Sequence, residues 1–127
     1  MVFGEWFVMK KAFVTGAGGF IGRNLVNKLI SEGYEVIGLA FNEKEKMVIQ
    51  ELGAKAILGN VVDVSSFNDY VLEGYNFFHL AAVLRGEGIK AKEVMETNTK
   101  ALKDILNLCV NKKEKKFVFL SSTCIYG

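Results

Sequence analysis

Phe13 to Gly22 reads FVTGAGGFIG, and the reading of these ten residues decides the fold. A short β-rich run, Ala12–Thr15, leads into it. Behind it Ile21, Leu25, Val26, Leu29 and Ile30 recur at helical spacing, and Gly33 fits the stop just past a helix end. Between strand and helix stand Gly16, Gly19 and Gly22, in the pattern G-x-x-G-x-x-G. Each glycine meets a separate need. At position 16 the chain must turn sharply off the strand. At 19 the backbone must approach an anion with no Cβ in the way. At 22 the helix must lie close against the sheet. The free N–H groups and the dipole of the helix start then favour a pyrophosphate. The G-x-G-x-x-G form does not fit, because position 21 is Ile. A glycine triplet alone can equally be a tight turn with no ligand. What surrounds it makes it a candidate dinucleotide loop.

Outward from the loop, strands and helices alternate. Glu35–Ala40 reads as a second strand. Glu43–Leu52 reads as a charged helix with Met47, Val48 and Leu52 inward, ended by Gly53. Ala56–Leu58 is a third strand. Ser65 or Ser66 can cap a short helix that stops near Gly74. Phe77–Ala81 is a fourth strand, followed by the polar loop Arg85, Gly86, Glu87, Gly88. One long helix is expected from about Ala91 to Val110, and Phe117–Ser121 is a fifth strand. Alternation of this kind predicts an α/β fold: a doubly wound parallel sheet of about five strands with helices on both faces. Its cleft lies at the carboxyl ends of the strands.

The totals narrow the classes. At 127 residues one domain is expected, with half the chain apolar and 24% charged. Basic and acidic residues nearly cancel at +2, which argues against nucleic acid or an anionic membrane as partner. The run Lys112–Lys116 reads as a solvated turn. Cys109 and Cys124 form no ligand cluster, and with His79 as the one histidine a metal site is not expected. His79 itself reads as a packed, hydrogen-bonded residue, and Cys124 as inert. No apolar run is long enough to span a bilayer. Residues 1–8 do not read as a signal peptide and are taken as an N-terminal extension before a domain over 9–127, so a cytoplasmic setting is expected.

Five stretches in order resemble the extended short-chain dehydrogenase/reductase family, the group of NAD-dependent nucleotide-sugar epimerases, dehydratases and related reductases. They are TGAGGFIG, GNVVD at Gly59–Asp63, HLAA at His79–Ala82, ETNTKAL around Asn98, and FVFLSSTCIYG at Phe117–Gly127. The resemblance covers nearly the whole chain but only the N-terminal part of the family's Rossmann-type fold. It implies cofactor binding by Gly16, Gly19, Phe20, Ile21 and Gly22 in the loop, Asn60 and Val61 beside the adenine, Leu80, Ala81 and Ala82 on the nicotinamide side, and Asn98 as a supporting residue. It implies that Ser122, four residues before Tyr126, is catalytic and hydrogen-bonds the substrate oxygen. The general acid/base of the family is a tyrosine in Tyr-x-x-x-Lys. No tyrosine here has a lysine at that spacing, because Tyr34, Tyr70 and Tyr75 are followed at that distance by Gly38, Gly74 and His79.

The cofactor is NAD or NADP. An NAD site usually carries an acid at the end of the second strand. That position is Ala40, and the next, where NADP-type reductases often place a base, is Phe41. Lys44, Lys46 and Arg23 are within possible reach of a phosphate, so the reading leans slightly to NADP. Two functions stay open. One is the dinucleotide-binding part of an epimerase, dehydratase or reductase that moves hydride to or from a nucleotide sugar or a similar carbonyl or hydroxyl compound. The other is a stand-alone dinucleotide-binding module without chemistry. A small-molecule substrate is a partner only in the first. A fold that ends at its fifth strand would leave an open edge, so a homo-oligomer is expected.

Overall fold

The computed structural model describes residues 9–83 and 88–122. The extension 1–8, the loop residues Arg85, Gly86 and Glu87, and Thr123, Cys124, Tyr126 and Gly127 lie outside them.

The elements run β1 Lys10–Thr15, α1 Phe20–Ser31, β2 Tyr34–Ala40, α2 Glu43–Glu51, β3 Lys55–Leu58, β4 Asn76–His79, α3 Ala91–Met95, α4 Ala101–Asn111 and β5 Lys116–Phe119. All strand pairs are parallel, in the order β3-β2-β1-β4-β5. The order reverses between β1 and β4, and that switch point opens a crevice at the carboxyl ends of the strands.

Period-two alternation sorts the core into two layers. Ala12, Val14, Val36, Ala40 and Ala56 meet Val26 and Leu29 of α1 and Ile49 of α2. Phe13, Ile37, Leu39, Ile57 and Phe77 face the other way, onto Phe67, Val71, and Ile105 and Cys109 of α4. The doubly wound sheet expected from the alternation is therefore the one observed.

Four local expectations are corrected. On α2 Met47 is exposed rather than inward, and Ile49 is the residue that packs on the sheet. The segment after β3 is not one helix capped by Ser65 or Ser66 but two single 3-10 turns, Val64–Ser66 and Asn68–Tyr70. The Asp63 side chain caps the first by accepting from the Ser65 N–H, and the Ser66 hydroxyl is drawn back to the Asp63 and Asn60 carbonyls. Burial of Phe67 and Val71 fixes the two turns against the sheet. The long helix is interrupted: between α3 and α4 lies a π-helical turn, Glu96–Lys100. The fourth strand ends at His79 rather than Ala81, because the backbone of Leu80 and Ala81 turns to meet the glycine loop. At the far edge, β5 pairs only with β4 among the described residues, and Val118, Phe119 and Leu120 are exposed.

Candidate active site at the switch point

The glycine loop is set by two close approaches. Gly16 has φ +68, and a Cβ there would stand 2.8 Å from the Ala81 nitrogen and 2.9 Å from the Leu80 carbonyl carbon. Only glycine satisfies both the left-handed backbone and the contact. At Gly22 a Cβ would lie 1.9 Å from the Gly16 oxygen, so α1 packs backbone to backbone on the loop.

Gly19 differs from both. Its φ of −76 and ψ of 176 suit any residue, and a Cβ there would meet nothing nearer than the Gly16 oxygen at 3.4 Å. Neither backbone strain nor packing demands glycine at this position. It is the N-cap of α1, where a side-chain oxygen usually caps the first N–H groups, and it supplies none. The first turn carries no acidic residue either. The N–H groups of Phe20, Ile21 and Gly22 are thus left without partners inside the helix, with the positive end of the dipole behind them. Phe20 and Ile21 point their side chains to solvent, so what they bring to the loop is backbone.

Opposite the loop, Thr15 organises the end of β4. Its Oγ1 accepts the Leu80 and Ala81 N–H groups at 3.1 and 3.2 Å and lies 2.7 Å from His79 Nδ1. With both lone pairs engaged, the hydroxyl proton goes to Nδ1, which leaves the ring proton on Nε2. Burial pushes His79 down to about 4, so the ring is neutral near pH 7. It stacks on Phe119 at 6.0 Å between centroids. His79 therefore fixes β4 to β1 and does not face the cavity.

The cavity between these walls has a volume of about 660 Å³. Gly16 and Gly19 line one side and Leu80, Ala81, Ala82 and Val83 another, with Gly59, Asn60, Val61 and Val62 from the turn after β3. Asn60 Oδ1 accepts the Val62 N–H at 3.1 Å, which folds that turn over the opening. Asn98, from the π-helical turn, does not line the cavity. It donates to the Val83 carbonyl and accepts the Val83 N–H, both at 2.8 Å, and so holds the segment after β4 that does. Phe20, Ile21, Gly22 and Ser122 lie off the lining as well, Ser122 three residues beyond β5.

Sequence reasoning missed Glu45, Glu93, Glu96 and Thr97, which line the cavity from α2, α3 and the π-helical turn, while Leu39 and Phe41 line it from the end of β2. One signal for Glu45 was present. Asn42-x-x-Glu45 has the spacing of a capping box, and Asn42 Oδ1 does accept the Glu45 N–H at 2.9 Å.

A doubly wound sheet, a glycine loop entering α1 and a crevice at the switch point define a Rossmann-type domain. The family model of the NAD dependent epimerase/dehydratase family matches residues 12–127, and the chain belongs to that family. This is the extended short-chain dehydrogenase/reductase grouping that the five motifs resemble. Among curated relatives, the chain is 28% identical over 117 residues to a decarboxylating sterol-4-alpha-carboxylate 3-dehydrogenase of Dictyostelium discoideum, covering 90% of this chain and 36% of that one. It is 31% identical over 123 residues to a UDP-N-acetyl-alpha-D-glucosaminuronate decarboxylase of Bacillus cytotoxicus, covering 93% and 38%. Among solved structures, UDP-glucuronic acid 4-epimerase from Bacillus cereus in complex with NAD superposes with a TM-score of 0.77 at 26% identity, over 92% of this chain and 41% of that one. The chain thus spans well under half the length of these relatives. No helix among the described residues is long and apolar enough to cross a membrane.

Proposed function

We propose that this chain binds a nicotinamide dinucleotide across the switch point, as the cofactor-binding part of an epimerase, dehydratase or reductase. The whole protein would move hydride between C4 of the nicotinamide and a carbon of a nucleotide sugar or a related carbonyl or hydroxyl compound. Ser122 would hydrogen-bond the substrate oxygen as its charge changes. Self-association through the outer edge of β5, which among the described residues pairs only with β4, belongs to the same proposal.

The observation that carries this reading is Gly19. It is a glycine at the N-terminus of a helix, lining a cavity, with no requirement of its own for the missing Cβ. The space above it and the uncapped amides beside it suit a pyrophosphate. The apolar walls, Val61 and Leu80 to Val83, suit the flat rings at either end of a dinucleotide.

Calorimetric titration of the chain with NADH tests this, with Gly19→Ala beside it. The expected result is saturable binding by the parent and at least about tenfold weaker binding by the variant, with equal thermal stability, since the added methyl meets only ordinary contacts in the fold. Equal affinity for parent and variant, or no binding at roughly millimolar NADH, would overturn it.

A further inference from the structure

We infer that Glu45 reads the ribose 2′ position of the bound dinucleotide and selects NAD(H) over NADP(H). The inference rests on the dinucleotide reading above and goes past it, because it reverses the slight lean to NADP and assigns the choice to one carboxylate.

The end of β2 is where such a fold sets this preference. Here β2 ends at Ala40, whose methyl offers nothing, and the Phe41 side chain is exposed. The backbone makes up the deficit. The Phe41 N–H, the first beyond the strand, donates to Glu45 Oε2 at 2.9 Å. That bond fastens a carboxylate to the point where an acid of the strand itself would otherwise stand. A second contact fixes it from the other side. A Cβ on Gly18 would come within 3.0 Å of Glu45 Cβ and Cγ, so the side chain runs directly beneath the glycine loop. Asn42, capping α2, holds the Glu45 backbone. Glu45 is half-buried, lines the cavity, and lies between Phe41 and the loop that takes the pyrophosphate.

Its remaining acceptor capacity suits hydroxyls. Each carboxylate oxygen has two lone pairs, and the Phe41 amide takes one of the four. A ribose 2′-OH can donate to the rest. A 2′-phosphate brings further negative charge and no proton to give. The charged residues that line the cavity among the described residues are Glu45, Glu93 and Glu96, and none is basic. Of the three candidates for a phosphate, Arg23 and Lys44 are exposed, Lys46 is half-buried, and none lines the cavity.

A purely structural role needs only an acceptor for the Phe41 amide. Glutamine supplies that acceptor without the charge, so Glu45→Gln separates the two roles. NADH and NADPH are titrated into the parent chain and into Glu45→Gln, with thermal unfolding of both. The parent is expected to bind NADH at least about tenfold more tightly than NADPH, and the variant to lose most of that ratio while unfolding at nearly the same temperature. The parent gives a second readout that needs no variant. Because the discrimination is a charge repulsion near the surface, the NADH/NADPH ratio should shrink as salt is raised. A parent that prefers NADPH, a ratio unmoved by Glu45→Gln, or a ratio indifferent to salt overturns the role of Glu45 and leaves the dinucleotide site standing. Failure of both nucleotides to bind the parent overturns both.

Discussion

The strands turn two different surfaces to their two helical layers. Toward α1 and α2 they present mainly Ala12, Val14, Val36, Ala40 and Ala56. Toward α4 they present Phe13, Ile37, Leu39, Ile57 and Phe77, and the phenylalanines continue as a stack: Phe67 to Phe13 at 5.8 Å, Phe13 to Phe77 at 5.1 Å, Phe77 to Phe117 at 5.6 Å. The first surface is made of small residues because something must come close. There α1 lies backbone to backbone on Gly16, and the glycine loop reaches the end of β4. The second surface carries the larger buried side chains, Phe13, Phe67 and Phe77 among them. Proximity for the site and burial for stability have thus been assigned to opposite faces of one sheet.

The largest expected effect tests the burial face. Phe77→Ala removes a fully buried ring from the middle of the stack and should cost about 3–5 kcal/mol in denaturant unfolding. If the faces divide as described, NADH affinity should change little under conditions where the variant is still folded. A large loss of affinity in folded Phe77→Ala would break the division.

The proximity face should respond differently. Gly22→Ala gains up to ~1 kcal/mol of helix propensity. Against it stands a methyl carbon 1.9 Å from the Gly16 oxygen, which forces α1 off the loop. The clash should win, with a net loss of about 1–3 kcal/mol. NADH affinity should fall with it, unlike in Gly19→Ala, where affinity falls and stability holds. Unfolding curves and titrations of the two variants side by side make the comparison.

The smallest effect sharpens the burial face through pH. Glu114, in the turn between α4 and β5, has both carboxyl oxygens buried with no hydrogen-bond partner among the described residues. Burial pushes it up to about 7 from 4.5, while the Tyr75 backbone and Lys112 pull weakly the other way. Its folded form therefore holds a proton that the unfolded chain has lost. The stability it contributes is present below about 4.5 and is lost as pH rises through about 7. His79 has the opposite sign: burial lowers it to about 4 from 6.5, so its contribution is present above 6.5 and is lost as pH falls through about 4. Between the two ordinary values the slopes offset each other. Glu114→Gln should uncover the His79 slope at acid pH and stabilise the chain above neutrality by about 1 kcal/mol, a figure reduced because the side chain is only partly buried. Thermal unfolding across that pH range checks it, and an unchanged profile would remove Glu114 from the account.

What was legible in the sequence follows the same division. Strands with period-two alternation and glycines spaced around a strand-to-helix turn can be read locally, so β1 to β5 and Gly16, Gly19 and Gly22 were legible, although of these three glycines only Gly16 and Gly22 carry a steric duty in the fold. Interactions across the chain were not. Nothing near Asn98 announces a π-helical turn, because its partner, the Val83 backbone, is fifteen residues away. The end of β4 depends on Thr15, more than sixty residues earlier. Ser65 and Ser66 looked like caps, but Asp63 takes that role, since an ionised carboxylate is the stronger acceptor for an N–H. Glu45 lay unremarked within the charged helix Glu43–Leu52. Its spacing to Asn42 was visible, but not the turn of the Phe41 amide toward it.

The central claim is that the carboxyl ends of β1, β3 and β4 hold a dinucleotide while the opposite end of the sheet does not. Amide hydrogen exchange of the chain, with and without saturating NADH, tests it most directly. Slower exchange with NADH is expected at residues 16–22, 60–62 and 80–83, with no change in the turn 112–116. Slowing confined to the α4–β5 turn, or none at the glycine loop when NADH is bound, would contradict it.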